Sequence, residues 1–412
     1  MEQKLFPFKF LDSYTREDSQ FYFGRDEEIN TMYDMVFQTG LLVVYGASGT
    51  GKTSLVQCGL ANRFESHDWY SLFIRPGNDI NESLSQALNN AGGEVNGNDD
   101  LDWLDQDWTS DEAQQPMVKK SPTAKSIENV YSQHFRPIYL IFDQFEELFI
   151  LGSKEEQDTF YQTIREILQL EQPVKIILLL REEYLGHMYD FERVIPRLLK
   201  KKLRIEPMNL GRVTAIIKGI AQSETSLVSI KAGEEEQIAE IVFNKIKGPG
   251  KRISIDLPYL QVFLDKLYLS ITNDPSRTTP AEFSVESLKN IGDIGDVLRD
   301  LIDEQVAKAS EKFSTPEETV WRVLSSLVTI DGTKEALTLP ELERRVPHVD
   351  KKLVNRLILY FITQRIIRQS PNGTIFELGH DTLAKQIHQK RSDEQLALLE
   401  VQRLIRSQVA IK

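Results

Sequence analysis

The sequence has few features of a secreted or membrane protein. Its only cysteine is Cys58, which excludes a disulfide framework; we interpret this residue as a small buried side chain, with a redox role as the alternative. No apolar run approaches the roughly 18 residues that span a bilayer, because the best candidate, VKIILLL at 174–180, is short and contains Lys175. The N-terminus has no apolar signal-peptide segment. We therefore expect a cytoplasmic protein without a membrane span.

Positive charge is also in deficit. The chain carries 49 Lys and Arg against 62 Asp and Glu, a formal net charge of −13, which argues against general affinity for DNA, RNA or anionic membranes. The strongest local exception is RVIPRLLKKKLR at 193–204. We interpret it as a solvated helix end that leads into a strand, with nucleic-acid contact as the alternative.

One motif stands out against these absences. The stretch LLVVYGASGTGKT places an apolar strand before Gly-x-x-x-x-Gly-Lys-Thr, the pattern of a P-loop. Its glycines allow a sharp turn that presents backbone N–H groups to phosphate oxygens, whereas a chance glycine-rich turn is the alternative. Lys52 is expected to reach the β- and γ-phosphates and Thr53 to hold Mg²⁺. The expected nucleotide contacts are Gly46, Ala47, Ser48, Gly49, Thr50, Gly51, Lys52, Thr53 and Ser54.

A second apolar strand supplies the carboxylate that such a site needs. PIYLIFDQFEELF ends its strand in Asp143, which suits the Walker B role of holding Mg²⁺. The next residue is Gln144, so Glu146 and Glu147 are the candidates for orienting the attacking water, with helix capping as the alternative. No clustered ligand spacing is found for His67, His134, His187, His348 and His388, so we expect no metal beyond Mg²⁺.

The following strand ends in Arg181, which we interpret as a γ-phosphate contact or, alternatively, as a surface arginine paired with Glu182 or Glu183. No guanine-reading Asn-Lys-x-Asp signature is present, because NKIK at 244–247 lacks the carboxylate. Adenine is therefore the expected base.

The pattern along the chain predicts an α/β P-loop NTPase with a parallel sheet, followed by an all-α helical domain and a winged helix. Five strand candidates alternate with helices between residues 41 and 207, which is typical of a parallel sheet covered on both faces. After Pro207 the strand pattern stops, and later three helices precede a hairpin around Pro-Asn-Gly. The predicted domains are 1–208, 209–310 and 311–390, with a C-terminal helix at 391–412.

An acidic segment interrupts the first of these domains. Residues 91–118 contain no Lys or Arg, and we assign 91–137 to an acidic insertion or linker. Trp103 and Trp108 within it are candidates for docking a partner.

Several segments together resemble the bacterial novel-STAND NTPases, signal-transduction ATPases related to apoptotic, plant-immunity and NACHT switch proteins. They are PFKFLDSYTREDSQFYFGRDEEI, FIRPGNDINESLSQAL, LIFDQFEELF, LLLREEYL, LPYLQVFLDKLY and FELGHDTLAKQI, in that order. The resemblance runs from about Pro7 to about Ile387 and implies that the three predicted domains fold around ADP at rest.

The resemblance also implies roles for particular residues. Gly24 and Arg25 look like the motif that lines the adenine and ribose end. Asp143, Glu146 and Glu147 resemble the NACHT form of Walker B, and Arg181 resembles its sensor arginine. Pro258 resembles the helical-domain proline that approaches the base. His380, followed by Asp381, resembles the winged-helix histidine that touches the ADP β-phosphate; without the resemblance, a structural histidine is the alternative.

Taken together, these features predict an ATP/ADP-dependent switch that hydrolyses ATP slowly. The family resemblance implies that it rests as a closed ADP-bound monomer, opens to oligomerise with ATP and acts in bacterial signalling or defence. Sensor and effector segments are not visible, so we expect them on separate proteins or in missing regions. The alternatives are a DNA-associated ATPase that reads DNA through the winged helix, and a non-hydrolysing nucleotide-binding scaffold.

Overall fold

A computed structural model describes residues 4–77, 79–92, 121–150, 152–196, 198–247, 253–290, 297–370 and 373–390. The acidic stretch with Trp103 and Trp108, Arg197 of the basic segment, and the predicted helix at 391–412 lie outside these residues. The chain divides into two compact units. The sheet unit comprises Arg25–Ala47 and Lys52–Glu206, and the helical unit comprises Met1–Gly24, Ser48–Gly51 and Pro207–Lys412.

The sheet unit is built on five parallel strands. In chain order they are β1 (Leu41–Gly46), β2 (Tyr70–Ile74), β3 (Ile138–Phe142), β4 (Val174–Arg181) and β5 (Lys202–Arg204). The order across the sheet is β2-β3-β4-β1-β5. All side chains from Leu41 to Val44 are buried, and because alternate strand residues point to opposite faces, both faces of β1 are covered. The predicted parallel α/β sheet is confirmed.

Seven α-helices belong to the described part of this unit. They are α1 (Asp26–Gln38), α2 (Lys52–Ser54), α3 (Ile80–Gly92), α4 (Pro122–His134), α5 (Glu147–Ile150), α6 (Lys154–Ile167) and α7 (Met188–Val194). A π-helical turn at Leu55–Leu60 and a 3₁₀ turn at Ala61–Arg63 continue α2. Cys58 lies in that π turn and is buried, in agreement with its interpretation as a small core residue.

Helix α4 corrects the predicted insertion or linker at 91–137. Ser121 caps α4 by accepting from the Ala124 N–H, and Ile127 and Val130 are fully buried. Helix α3 ends only at Gly92, whose carbonyl oxygen accepts from the side-chain amide of Asn129. Residues at both ends of the range 91–137 therefore belong to the core of the sheet unit. The acidic composition of the central stretch does not extend to 121–137, where Ser-Pro and apolar spacing indicate a helix.

The helical unit contains nine α-helices and five short strands among its described residues. The helices are α8 (Leu210–Gln222), α9 (Glu235–Lys247), α10 (Leu257–Thr272), α11 (Val285–Asn290), α12 (Val297–Phe313), α13 (Glu317–Ser325), α14 (Leu339–Arg345), α15 (Lys351–Thr363) and α16 (Asp381–Gln389). The strands are β6 (Val228–Ile230), β7 (Ala281–Phe283), β8 (Leu337–Thr338), β9 (Ile367–Gln369) and β10 (Ile375–Leu378).

Two of these strands show that the prediction of a purely helical segment at 209–310 was wrong. β6 and β7 pair in parallel, with Val228 opposite Ala281 and Ile230 opposite Phe283. Each strand has only three residues, which is too short for an alternating pattern to be recognised in the sequence. Farther along the chain, β9 and β10 form the predicted antiparallel hairpin, and β8 joins them as a third strand.

The N-terminal segment corrects the first domain boundary, because residues up to Gly24 belong to the helical unit and not to the sheet unit. Leu5 pairs with Ser226, and the Tyr14 hydroxyl donates to the Pro7 carbonyl oxygen at 2.9 Å and to Gln261 Oε1 at 3.2 Å. Phe8 is buried in the same core. These contacts hold the N-terminal segment against residues that are remote in sequence. Local sequence patterns do not reveal such contacts.

The predicted boundary at 310/311 falls inside α12, which continues to Phe313. The segments on both sides of it share one hydrophobic core, to which α12 contributes Leu298, Ile302, Val306 and Ala309. In the described part of the chain, no helix is long and apolar enough to cross a membrane.

Candidate functional site

The P-loop begins where β1 ends. Gly49 and Gly51 adopt φ angles of +82° and +87°, in the left-handed region that favours glycine. Three polar residues around these glycines are buried: Ser48, Thr50 and Ser54. The sequence Gly-x-x-x-x-Gly-Lys-Thr therefore has glycine at the positions where the backbone requires it.

Lys52 lies across this loop. Its Nζ donates to the Gly46 carbonyl oxygen at 2.9 Å and to the Ala47 carbonyl oxygen at 3.0 Å. The ammonium group thus donates to two uncharged carbonyl oxygens of the P-loop. Phosphate oxygens are stronger acceptors because their charge adds to the hydrogen bond, so this arrangement suits an anionic ligand.

Thr53 and Asp143 meet, although 90 positions separate them. The Thr53 hydroxyl donates to Asp143 Oδ1 at 2.9 Å, and the Gln144 N–H donates to the same oxygen at 3.1 Å. Asp143 follows β3, and its own N–H donates to the Ile74 carbonyl oxygen on β2. Parallel strands bring their carboxyl ends to one edge, which explains why the two motifs converge.

These two side chains offer a hydroxyl and a carboxylate, which are the hard oxygen ligands that Mg²⁺ prefers. Among the described residues, no group of three or more His, Cys, Asp or Glu side chains could hold a metal. A magnesium ion carried by a nucleotide needs only one or two protein ligands beside phosphate and water. The residues thus fit a magnesium nucleotide, and the roles of Thr53 and Asp143 at the metal and of Lys52 at the phosphates remain predictions.

Arg181 and Glu146 form a buried ion pair. Arg181 Nε lies 3.0 Å from Glu146 Oε1, and the Arg181 backbone N–H donates to Glu146 Oε2 at 3.1 Å. Glu182 instead lies 3.0 Å from Arg204. The alternative of a surface arginine paired with Glu182 or Glu183 is therefore wrong. In the β1–β4 register Arg181 stands opposite Gly46, the first glycine of the P-loop.

Glu147 begins helix α5 and is half-buried. Its backbone N–H donates to the Gln144 carbonyl oxygen, and Gln144 has a φ of +58° that turns the chain sharply after Asp143. The chain therefore changes direction between Asp143 and the two glutamates, Glu146 and Glu147. A water-orienting role for either glutamate remains a prediction.

Arg75 is a cation that the sequence interpretation missed. It follows β2 directly, and its Nε lies 3.9 Å from Asp143 Oδ2. Its side chain is 45% exposed, so this contact alone contributes little free energy. The rule that pointed to Arg181, an arginine just after an apolar parallel strand, would also have found Arg75 in YSLFIR.

Gly24 and Arg25 fall on either side of the boundary between the two units. Gly24 has a φ of +79°, and a Cβ there would lie 2.8 Å from the Arg212 carbonyl oxygen, so no larger residue fits. Arg25 is buried and its Nη1 donates to Glu28 Oε1 at 2.7 Å. The structure thus shows an ion pair at the start of α1, and the predicted adenine or ribose contact remains a prediction.

Within the helical unit, the tip of the P-loop lies against Pro258 and His380. A Cβ built at Gly49 would lie 3.2 Å from Pro258 Cδ and 3.5 Å from His380 Cε1. The Leu257 N–H, at the start of α10, donates to the Gly49 carbonyl oxygen at 3.1 Å. A Cβ at Gly51 would lie 3.0 Å from Leu257 Cδ2. The positive φ angles favour glycine at the tip, and these neighbours leave little room for a side chain.

His380 also caps helix α16. Its Nδ1 accepts the Thr382 backbone N–H at 3.2 Å and lies 3.0 Å from Thr382 Oγ1. Because an amide N–H can only donate, Nδ1 carries a lone pair, and the ring hydrogen of the neutral histidine is on Nε2. The cap fixes the tautomer that presents a donor from the other ring nitrogen, which suits an anionic ligand.

Comparison with known families is consistent with this geometry. The model of the Novel STAND NTPase 1 family matches residues 7–409. The chain belongs to this family. The resemblance noted in the sequence is thereby confirmed, and this member of the Novel STAND NTPase 1 family is a P-loop NTPase of the parallel-sheet α/β class. No curated protein matches the sequence.

Three solved structures are similar to this STAND NTPase over most of their length. The Walker-type ATPase PABY2304 of Pyrococcus abyssi has a TM-score of 0.42 at 14% identity and covers 92% of this chain and 99% of its own. The Aeropyrum pernix ORC1 protein in complex with DNA has a TM-score of 0.43 at 15% identity, covering 91% and 94%. The Aeropyrum pernix ORC2 protein in ADPNP–ADP complexes has a TM-score of 0.44 at 12% identity, covering 92% and 95%.

Proposed function

We propose that this STAND NTPase is an ATP/ADP-dependent molecular switch that hydrolyses ATP slowly. It rests as a closed ADP-bound monomer and opens to oligomerise when ATP replaces ADP. In this proposal the protein acts in bacterial signalling or defence, with sensor and effector parts on other chains or in other regions of a longer protein.

The observation that carries the proposal is the position of His380 and Pro258 beside Gly49, at the tip of the P-loop. A donor on His380 Nε2 suits a terminal β-phosphate, and an added γ-phosphate would change its surroundings. A ligand shifts a conformational equilibrium only when it contacts the two states differently. In this proposal His380 provides the difference, because the surroundings of its ring differ between bound ADP and bound ATP.

The proposal names the segment around His380 a winged helix. Helices α13, α14 and α15 and the antiparallel strands β8, β10 and β9 support this proposal. We likewise propose that the residues from α8 to α12, with the short strands β6 and β7, form the helical domain. We retain ADP and ATP as the nucleotides and Mg²⁺ as their metal.

The residues after Asp143 support the proposal of slow hydrolysis. Gln144 stands where many ATPases carry the glutamate that polarises water, and Glu146 is already paired with Arg181. Glu147 is then the remaining carboxylate of the motif that could orient a water molecule. A slow rate suits a switch, because each bound state must persist long enough to be detected by a partner.

The test is the mass distribution of the full chain with ADP and with a non-hydrolysable ATP analogue, measured by mass photometry. We expect monomers with ADP and oligomers with the analogue once the trigger, or a variant that mimics it, is present. An identical distribution in both nucleotides, with His380→Ala as well as with the native chain, would contradict the switch.

The DNA-associated ATPase is less well supported. Helix α15 is the helix of the predicted winged helix that would have to enter a DNA groove, but it buries Val354, Leu357, Ile358 and Phe361 in the core. Two basic side chains of this region also form ion pairs, because Lys351 on α15 pairs with Glu343 at 2.9 Å and Arg368 on β9 pairs with Asp12 at 2.7 Å. Turnover stimulated by DNA, together with salt-dependent DNA binding, would favour this rival.

A further inference from the structure

We propose that Glu146 is a positioning residue that sets how strongly the site prefers ATP over ADP. It does so by holding and neutralising Arg181. The inference rests on the proposed function, because it takes Arg181 as the contact for the γ-phosphate. It differs from the sequence-based expectation that Glu146 orients the attacking water.

The first support is the way in which one carboxylate binds two parts of the same arginine. Oε1 lies 3.0 Å from the guanidinium Nε and Oε2 accepts the backbone N–H at 3.1 Å. Arg181 and Glu146 are only 9% and 3% exposed. The hydrogen bond from the Arg181 main-chain N–H thus holds the negative charge of Glu146 beside the buried guanidinium.

The second support is where the pair lies in the sheet. Arg181 ends β4 beside Gly46 of β1, so its side chain leaves the sheet at the edge that carries the P-loop. Asp143 directly follows β3, the neighbouring strand on the other side of β4. Arg181 therefore stands between the two strands that supply the phosphate loop and the metal-binding carboxylate.

The third support is charge. An ion pair in a buried setting is screened little by solvent, so Glu146 cancels most of the charge that Arg181 would direct at an anion. ATP and ADP differ by one anionic phosphoryl group. A γ-phosphate at Arg181 has to compete with Glu146, whereas ADP does not. The ion pair therefore lowers the preference for ATP and favours retention of ADP.

The experiment measures the affinities of the full chain for ADP and for a non-hydrolysable ATP analogue by isothermal titration calorimetry with Mg²⁺. The proteins are the native chain, Glu146→Gln, Arg181→Gln and the double variant. Glu171→Gln is the matched control, because Glu171 is an exposed glutamate of the same unit. Glutamine keeps the length and the acceptor oxygen of glutamate but removes its charge.

We expect Glu146→Gln to raise the preference for the ATP analogue about tenfold, which corresponds to about 1.4 kcal/mol. Arg181→Gln should abolish most of the preference, and the double variant should match Arg181→Gln because Glu146 acts only through the arginine. Glu171→Gln should match the native chain. If Glu146→Gln fails to fold, Glu146→Asp provides the second test, with a smaller increase because the charge stays but the contact loosens.

Unchanged preference in Glu146→Gln, or equal effects of that substitution with and without Arg181, would overturn the inference. Loss of turnover in Glu146→Gln with an unchanged affinity ratio would assign Glu146 to water activation instead. If the native chain and the Glu171→Gln control bind neither nucleotide, the proposed function fails together with the inference. Binding by both with an unchanged ratio removes the inference alone.

Discussion

The sheet unit and the helical unit position their candidate site residues by different means. In the sheet unit, strand register sets the positions of Asp143 and Arg181, which follow or end neighbouring parallel strands. In the helical unit, Pro258 and His380 lie at the starts of α10 and α16, brought to Gly49 by packing of a large shared core. Register places the first pair through backbone hydrogen bonds, whereas side-chain packing places the helix starts.

The comparison suggests a division of labour. We expect substitutions in the sheet unit to change nucleotide affinity and the preference between ATP and ADP, and substitution of His380 in the helical unit to change how long ADP is retained. Substitutions in each unit test this difference.

The largest effect is expected for Lys52→Ala. Loss of a charged donor to the phosphates should weaken both ADP and ATP about 100-fold or more, because charge-assisted hydrogen bonds contribute up to about 3 kcal/mol. Lys154→Ala, at an exposed lysine on α6, is the control. Titration with a fluorescent nucleotide measures the affinities. Unchanged ATP affinity in Lys52→Ala would refute the assigned site.

Asp143→Asn should weaken nucleotide binding about tenfold in the presence of Mg²⁺, because the amide keeps the Thr53 contact but loses the charge that attracts the metal. With a chelator, the variant and the native chain should bind equally. The comparison is made by titrating nucleotide with and without Mg²⁺. Equal weakening under both conditions would show that Asp143 supports the loop and does not serve the metal.

His380→Ala should leave association largely intact but release ADP about tenfold faster, since it removes one donor to a charged acceptor from the helical unit. It should also shift the protein towards oligomers. His348→Ala, at an exposed histidine of the same unit, is the control. Stopped-flow displacement gives the off-rate and mass photometry the assembly. If neither changes, the switch role of His380 fails.

The smallest effect concerns a loop of the helical unit. Backbone N–H groups, that of Thr278 first, hold the pKa of Asp274 well below its ordinary value of 3.8. A lowered folded-state pKa adds stability above the unfolded-state pKa, and this stability is lost as the pH falls below it. Asp274→Asn should lower the melting temperature slightly at pH 7, and the difference should shrink below about pH 4. Scanning calorimetry at pH 7 and below about pH 4 measures the melting temperatures of the variant and the native chain. The affinity for nucleotide should not change.

The two units also differ in how many of their site residues and contacts could be predicted from the sequence. Asp143 and Arg181 could be found because each follows the apolar run of a buried strand, and parallel strands bring such ends together. The pairing of Arg181 with Glu146 could not, because it depends on the turn at Gln144, where a non-glycine residue has a positive φ. Arg75 was within reach of the same strand rule but was overlooked.

In the helical unit, the hairpin at Pro-Asn-Gly was predicted, whereas the pairing of β6 with β7 was not. The two strands are more than 50 residues apart and three residues long, so only tertiary packing selects them. The place of Tyr14 and its neighbours in this core is likewise set by contacts with Gln261, far along the chain. His380 was recognised from family resemblance, and its neighbour Gly49 is apparent only in three dimensions.

The most direct test of the switch is the identity of the nucleotide that the protein retains. Freshly purified protein is denatured, and the released nucleotide is identified and quantified by ion-pair chromatography. We expect close to one ADP per chain, because His380 and the helical unit should retain ADP through purification. An empty site in a protein that turns ATP over freely would contradict the switch and indicate a cycling ATPase.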